Sequence, residues 1–441
     1  MTILQMTQAI RNGALSAHEL VSQYLAAIEK NKRLNAVIEL NPDATAIAEN
    51  LDMSADRQKL LFGIPILIKD NINTGDKMRT SAGSVALANN IAPEDAPIVR
   101  RLSEAGAVIL GKANMTEFAN YMTDGTMPNG YSSRGGQTLN FFDANADPSG
   151  SSTGSAVAVI ADLCAAAIGT ETVGSIISPS QAAGIVGIKP TAGLLGNKGI
   201  IPISFTLDTA GPMARCVDDA RLLLGVLAGR EYQNRRGKLT GVRIGICRMF
   251  ADEALPEWVV ANERLIGIMR ALDAECVELP EHDIRIGKLI YQICKHEFKF
   301  GINSYLQSLG NPEIPRSLQE IIEYNERHSD TALKYGQNNL VDVNETTSGT
   351  MTETVYREAL TARERAIYAF ERYFDDNRID VCFMLAADSG LAAWTGFPCM
   401  TVPVGKTAAG LPIGSYFAAR RFDEAILLRV ASEIESAHHP M

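Results

Sequence analysis

Apolar residues recur at helical spacing through the first part of the chain, over residues 3 to 57. Ser16 stands directly before the segment AHELVSQYLAAIEK. It predicts a helix N-cap, because a serine oxygen can accept a hydrogen bond from a free amide of the first turn. We therefore expect residues 1–60 to form a helical N-terminal preface.

From Ile64 onward the pattern changes to short apolar runs that alternate with helical segments. The runs IPILI and AVILG are typical of buried strands, APIVRRLSEAG has helical spacing, and SAVAVIADLCAAAIG continues the apolar pattern further on. Such alternation favours an α/β sheet covered by helices.

The second half of the chain begins with a polar stretch, GREYQNRRGKLTG at 229 to 241, before the strand-like VRIGICRMF. We interpret it as a surface connection within a single domain, residues 1–441. The segment from about 281 to 377 is mostly helical in pattern and could cap a site. The end returns to the sheet pattern with CMTVPVG, followed by a final helix, EAILLRVASEIESA.

Composition and charge narrow the classes of partner. The chain has 441 residues, 46% of them hydrophobic and 21% charged, which is enough to bury a large core. A formal net charge of −10 argues against nucleic acid or an anionic membrane as a partner. No stretch reaches the roughly 18 apolar residues of a membrane span, and the start lacks the pattern of a signal peptide. The sequence leaves open whether the chain forms a homodimer.

The seven cysteines form no CxxC pair, and their number is odd. We therefore expect free, mostly buried thiols in a reducing compartment, which predicts a cytoplasmic location.

Two familiar signals give no support to other chemistries. The Walker-type spacing GAVILGKA ends in Ala113 where a P-loop needs serine or threonine, and its apolar centre prefers a buried strand and turn.

Histidine is missing from the Ser/Gly-rich region, so nothing supports a Ser/His/Asp triad, although geometry alone could still build one. No metal site is predicted, and the terminal histidine pair suggests a solvated tail. The six histidines are His18, His282, His296, His328, His438 and His439.

Two Ser/Gly segments and one lysine carry the candidate chemistry. DPSGSSTGS, at 147 to 155, is on its own equally typical of a flexible loop. An apolar segment leads into GTETVGS, at 169 to 175, a tight turn of small residues that can present the Ser175 hydroxyl beside free backbone amides. A serine nucleophile needs a base. Lys69 ends the apolar run GIPILIK; most such lysines are exposed, but a buried one favours its neutral, basic form.

The blocks GIPILIKDN, DPSGSSTGSA, GTETVGS and GIVGIKPT, taken together and in this order, resemble the amidase signature family. Ser175 lies 24 positions after Ser151, as the family's paired serines require. The likeness runs from about Leu61 to Arg215 and weakly to the end. It implies a central mixed β-sheet with helices on both faces, and hydrolysis of a carboxamide bond in a small molecule or peptide without a cofactor.

Two further segments place the resemblance within the family. NGYSSRGGQTLN and GIIPISFTLDTAGPMAR are similar to the bacterial peptide amidase-like branch. The transamidase subunits that make glutaminyl-tRNA share the serine and lysine blocks but lack the RGGQT segment. The resemblance therefore favours a self-sufficient hydrolase over a subunit that supplies ammonia to a partner.

The resemblance also implies roles for individual residues. Lys69 would be the base, Ser151 a proton relay preceded by a cis peptide bond, and Ser175 the nucleophile. The oxyanion hole would be built by the backbone amides of Thr172, Val173, Gly174 and Ser175. Candidate substrate contacts are Tyr121, which could equally be a buried structural tyrosine, and Ser149 and Gly150.

The sequence departs from the family pattern at three positions. Val173 stands where the family has glycine or, in the closest branch, aspartate; Ile177 replaces a frequent arginine, and Thr153 a frequent glycine or serine. The bulkier Val173 leaves open a noncatalytic binding protein with a closed site.

Three acidic residues near these blocks have structural interpretations. Glu171 and Asp208 are expected to be hydrogen-bonding groups that hold the structure rather than take part in catalysis. Asp70 follows Lys69 on an extended strand, so it should point to the opposite face and not pair with it.

Overall fold

The computed structural model describes residues 1–54, 56–234, 236–249, 251, 254–284, 288–385 and 389–437. Fifteen α-helices lie in these ranges. They are α1 Ile3–Arg11, α2 Ala17–Lys30, α3 Ala44–Asp52, α4 Pro97–Glu104, α5 Thr153–Ile160, α6 Ile177–Ala183, α7 Val217–Ala228, α8 Pro256–Ala271, α9 Leu289–Leu309, α10 Leu318–Arg327, α11 Ser329–Ala332, α12 Asn338–Thr346, α13 Thr354–Asn377, α14 Ser389–Thr395 and α15 Glu424–Ala437.

The strands form one large sheet and two short hairpins. Their bounds are β1 Val37–Leu40, β2 Pro65–Lys69, β3 Val108–Ala113, β4 Tyr131–Ser132, β5 Gly136–Gln137, β6 Ala166–Glu171, β7 Val186–Lys189, β8 Thr209–Ala214, β9 Arg243–Cys247, β10 Glu275–Glu278, β11 Val381–Met384, β12 Cys399–Thr401, β13 Pro403–Lys406, β14 Pro412–Gly414 and β15 Phe417–Ala419.

The large sheet has 11 strands in the order β1-β3-β2-β6-β8-β7-β12-β15-β11-β9-β10. Strand β2 runs parallel to both of its neighbours, β3 and β6. Strand β8 runs antiparallel to β6 and β7. The expected mixed sheet is therefore confirmed, and β2 and β6 lie side by side within it.

Side chains of alternate residues on β11 enter two different hydrophobic clusters. Val381 and Phe383 belong to the main core, which also contains residues of α2, α7 and α15. Cys382 and Met384 join a smaller cluster with Phe370 and Phe374 of α13. Because successive side chains of a strand point to opposite faces, helices cover both faces of the sheet, as expected.

The N-terminal region is helical, with one exception that the sequence did not indicate. Ser16 caps α2 as predicted: its oxygen accepts from the Glu19 amide at 2.9 Å, and the Glu19 carboxylate accepts from the Ser16 amide at 2.8 Å. The prediction of a helical preface over residues 1–60 was wrong at Val37–Leu40. This segment is β1, an edge strand paired antiparallel with β3.

The Walker-like segment is a strand, as predicted. Strand β3 includes Gly111, Lys112 and Ala113, and all six of its residues are buried. The Lys112 ammonium donates to Thr80 Oγ1 at 2.8 Å and to the Ile72 carbonyl at 2.5 Å. Its contacts therefore hold neighbouring segments of the chain together.

Other expectations from the sequence agree with the structure. All seven cysteines are free, and five of them are buried. The region from about 281 to 377 contains α9 to α13. None of the helices in the described ranges has the length and apolar character of a membrane span. The terminal pair His438 and His439 lies outside the described residues.

Candidate active site

Lys69 ends β2 and is fully buried. The parallel pairing of Ile68 with Ile168 places the lysine beside the end of β6. Its Nζ lies 2.9 Å from Ser151 Oγ, 2.9 Å from Ser152 Oγ and 3.1 Å from the Thr170 carbonyl oxygen. The structure therefore brings the predicted base and the predicted relay serine into direct contact.

The environment of Lys69 favours its neutral form. Burial lowers the pKa of the amine to about 7, because the ammonium loses its hydration, while the negative charges of Asp208 and Glu171 oppose that decrease. Asp70 does not pair with it, as predicted. The Asp70 carboxylate instead accepts from Ser81 Oγ and from the Gly83 amide at 3.0 Å.

Ser152 is the contact that the sequence analysis missed. Its hydroxyl donates to the Thr170 carbonyl at 3.0 Å and lies within hydrogen-bond distance of Lys69. The only signal was its place beside Ser151 in DPSGSSTGS, and composition alone could not separate the four serines of that run.

The segment around Ser151 is shaped by its small residues. The peptide bond between Gly150 and Ser151 is cis, as the family resemblance implied. A Cβ on Gly150 would lie 2.6 Å from Thr116 Oγ1 and 2.8 Å from Asn129 Oδ1, so no side chain fits there. Ser149 and Gly150 are partly exposed, which leaves them accessible at the edge of the serine cluster.

Ser175 lies just beyond the end of β6, in a turn that hydrogen bonds hold in place. Its carbonyl accepts from the Ser152 amide at 3.2 Å, which holds the two serine segments together. The Glu171 carboxylate accepts from the amides of Ile176 and Ile177 at 2.7 and 3.0 Å. Glu171 thus acts as the structural acceptor that was predicted.

The predicted oxyanion residues line this turn, and Asp208 supports its first residue. Thr172 Oγ1 donates to Asp208 Oδ1 at 2.5 Å. Burial raises the pKa of Asp208 to about 6, and the bond from Thr172 opposes that rise. The amides of residues 172 to 175 donate to no protein acceptor in the described part of the chain. The Val173 side chain is 39% exposed, so it projects outward from the turn.

Tyr121 packs mainly against other protein groups. Its ring lies 4.7 Å from that of Phe298 on α9, and its carbonyl accepts from Asn339 Nδ2 at 2.7 Å. Burial raises the pKa of its phenol. These contacts agree with a structural tyrosine, and a substrate contact remains a prediction.

The histidines that the structure describes have partners away from the lysine and serines. His18 lies 3.7 Å from Glu49 and His296 lies 3.4 Å from Glu353, while His282 and His328 pack against tyrosine rings. Within the described ranges, no three His, Cys, Asp or Glu residues are grouped closely enough to hold a metal ion.

A family model of amidases matches residues 19–389. A probable amidase of Arabidopsis thaliana, At4g34880, is 36% identical over 99% of this chain and 90% of its own length. The chain belongs to the amidase family. It is therefore an amidase-family enzyme, a hydrolase of carbon–nitrogen bonds.

Two further relatives of this amidase-family chain bear on its branch. The solved structure of native peptide amidase from Stenotrophomonas maltophilia has a TM-score of 0.91 and 35% identity, covering 100% of this chain and 97% of that one. The predicted likeness to peptide amidases is confirmed. A glutamyl-tRNA(Gln) amidotransferase subunit of Caldanaerobacter subterraneus is 28% identical over 99% of this chain and 96% of its own length.

Proposed function

We propose that this chain hydrolyses a linear carboxamide bond through an acyl-enzyme, with Ser175 as nucleophile, Ser151 as proton relay and Lys69 as base. The observation that carries the proposal is the 2.9 Å contact between the buried Lys69 Nζ and Ser151 Oγ. A lysine with its pKa near 7 is half neutral at neutral pH and can accept a proton.

The hydrogen bonds around Lys69 support this direction of proton transfer. A neutral amine has two N–H donors and one lone pair. The Thr170 carbonyl can only accept, and Ser152 Oγ already donates to that carbonyl, so both accept from the amine. The remaining lone pair then faces Ser151, whose hydroxyl donates to it. Ser151 in turn has a free lone pair to take the proton of Ser175.

The proposed reaction has the following steps. As Ser175 attacks the amide carbonyl, its proton passes to Ser151 while the Ser151 proton passes to Lys69. Negative charge collects on the carbonyl oxygen beneath the amides of residues 172 to 175, where each well-placed donor contributes about 3 kcal/mol. The relay runs back to protonate the leaving amine, and water then hydrolyses the acyl-enzyme. The mechanism uses no cofactor.

The substrate class is proposed from similarity and chemistry together. The peptide amidase relative favours the amide of a peptide, or a small molecule of similar chemistry, as the substrate. The free thiols fit a reducing compartment, and a cytoplasmic location is part of the proposal.

A fluorophosphonate probe tests the nucleophile directly, because it phosphonylates an activated serine. We expect the wild-type chain to gain one adduct, which peptide mass spectrometry locates on Ser175. The variant Ser175→Ala should lose both the adduct and amide hydrolysis while keeping its thermal unfolding temperature. An unlabelled wild-type chain would favour the noncatalytic binding protein instead.

The alternative of an ammonia-supplying subunit rests on the similarity to the amidotransferase of Caldanaerobacter subterraneus. An assay of the purified chain alone, with primary amides such as glutamine and a peptide amide, distinguishes this alternative from a self-sufficient hydrolase. A self-sufficient hydrolase turns over without a partner, whereas an amidotransferase component should be nearly idle.

A further inference from the structure

Helix α9 contacts two other parts of the chain through two neighbouring residues. Phe298 packs against Tyr121 and, with ring centroids 6.3 Å apart, against Phe118. Glu297, the preceding residue, is fully buried and faces the chain segment that leads into β8. The helical region from 281 to 377, predicted from sequence as a possible cap, is therefore joined through this helix to the segment that leads into β8.

The Glu297 carboxylate is held by donors from two elements. Its Oε2 accepts from the Thr206 amide at 3.0 Å and from Ser204 Oγ. Its Oε1 accepts from Thr206 Oγ1 and, at 2.8 Å, from the Tyr356 hydroxyl on α13. A buried carboxylate that accepts four bonds has a defined position, because each lost donor would leave charge unpaired in the interior.

A second carboxylate continues this connection to the oxyanion turn. Asp208 Oδ2 accepts from the amides of Ile203 and Ser204 at 2.8 and 3.0 Å. Its Oδ1 accepts from Thr172 Oγ1 at 2.5 Å. Ser204 thus contacts both carboxylates, Glu297 through its hydroxyl and Asp208 through its amide, which links α9 to Thr172 by a series of hydrogen bonds.

We propose that Glu297 is a positioning residue that acts through Asp208 on Thr172 and so sets the geometry of the oxyanion turn. The inference rests on the proposed function. Donors stabilise the developing oxyanion only when they lie about 2.7–3.1 Å from its position, so a small displacement of the turn lowers the rate. The helical region thereby braces the oxyanion turn.

The substitutions Glu297→Gln and Thr172→Val test the two ends of the connection. Glutamine keeps the shape but replaces one acceptor oxygen by an amide donor. Valine keeps the shape of threonine and its backbone amide but loses the hydroxyl bonded to Asp208. We expect each to slow labelling of Ser175 by a fluorophosphonate about tenfold, less than the ~10²–10³ of losing an oxyanion donor outright.

The double variant distinguishes positioning from a general loss of structure. If Glu297 acts through Thr172, the double variant should be about tenfold slower than wild type, whereas independent effects multiply to about a hundredfold. For amides that the wild type hydrolyses, kcat should fall and KM should change little, because the turn acts on the transition state.

Glu424→Gln is the matched control. Glu424 is also fully buried and accepts from the Thr191 amide and hydroxyl at 3.0 and 2.6 Å, away from the oxyanion turn. It should lower the unfolding temperature without changing the labelling rate of the folded protein.

Tyr356→Phe removes a single donor to Glu297. It takes the place of Glu297→Gln in the double-variant comparison if the Glu297→Gln protein does not fold. For Tyr356→Phe we expect the labelling rate of Ser175 to fall twofold to threefold. Adding Tyr356→Phe to Thr172→Val should not lower the rate further than Thr172→Val alone.

The outcomes separate this inference from the proposed function. Unchanged labelling in the Glu297→Gln or Tyr356→Phe variant, or effects that multiply with Thr172→Val, would overturn the positioning role while leaving the nucleophile intact. Absence of an adduct on wild-type Ser175 would instead overturn the proposed function itself.

Discussion

The protonation of one residue, Lys69, sets the pH dependence expected of the whole reaction. Its amine is fully buried, and burial lowers its pKa to about 7 against the opposing charges of Asp208 and Glu171. Below that value the added proton occupies the lone pair that the relay needs. Above it the amine is neutral and can act as the base.

We therefore expect the rate of amide hydrolysis to rise through about pH 7 to an alkaline plateau, following one ionisation. Lys69→Ala should remove the rise together with most activity. Lys69→Arg should not restore it, because a guanidinium stays protonated throughout. Steady-state rates between pH 5 and about pH 10 measure this profile. An active Lys69→Arg enzyme with an unchanged profile would show that another group is the base.

A second prediction at this scale concerns Val173. Its side chain is 39% exposed next to the amides of the oxyanion turn, whereas Ser175 is 7% exposed. Val173→Gly should broaden the range of acyl groups accepted, because a branched side chain beside the turn is lost and the amides remain. A modest decrease in rate on the best substrate should accompany it, since glycine loosens the turn. Ratios of kcat/KM across small and bulky amides measure the effect, and an unchanged ranking would exclude Val173 as a pocket wall.

At the scale of elements, local sequence signals determine helix ends well. The reciprocal bonds between Ser16 and Glu19 satisfy two amides at the start of α2. We expect Ser16→Ala to lower the free energy of unfolding by about 1 kcal/mol. Urea titration of the variant measures this loss. Ser22→Ala within the same helix is the control, and it should cost nothing, since alanine favours a helix interior. An equal effect of both would contradict the cap.

Other elements depended on contacts that no local pattern contains. Helix α15 has the predicted bounds because its apolar stripe is long and regular. Strand β1 was missed because it has four residues and is only half buried, and its partner β3 lies some 70 positions further along the chain. A short edge strand with helical segments on both sides carries little periodicity of its own.

The residues of the candidate site also fall into two groups, those that the sequence predicted and those that it did not. Lys69, Ser151 and Ser175 were predicted because whole sequence blocks resemble a known family, and the structure places Lys69 against Ser151. Ser152 and Glu297 were not predicted. Their partners come from other elements, β6 for the former and the segment leading into β8 for the latter. Composition and periodicity contain no information on such pairings.

For the molecule as a whole, the first and last helices, α1 and α15, pack into one core. The main core contains residues from Ile3 to Ile434. The Ile3 amide donates to Asp219 on α7 at 2.9 Å, and Glu424 of α15 accepts from the Thr191 amide at 3.0 Å. The second core contains Phe298. The neighbouring buried residue, Glu297, joins it to the segment that leads into strand β8 of the large sheet. This interleaving supports the single domain predicted for residues 1–441.

The two tryptophans make that prediction testable, because each reports on a different core. Trp258 packs against the main core and Trp394 against the second core. Variants that keep only one of them, made with Trp258→Phe or Trp394→Phe, should show the same urea midpoint by fluorescence and by circular dichroism. Chains of this length often unfold through intermediates, so coincidence is a demanding outcome. If the Trp394 signal were lost at a clearly lower urea concentration, the second core would unfold separately from the main core, and the bracing of the oxyanion turn by Glu297 could fail while the sheet remained folded.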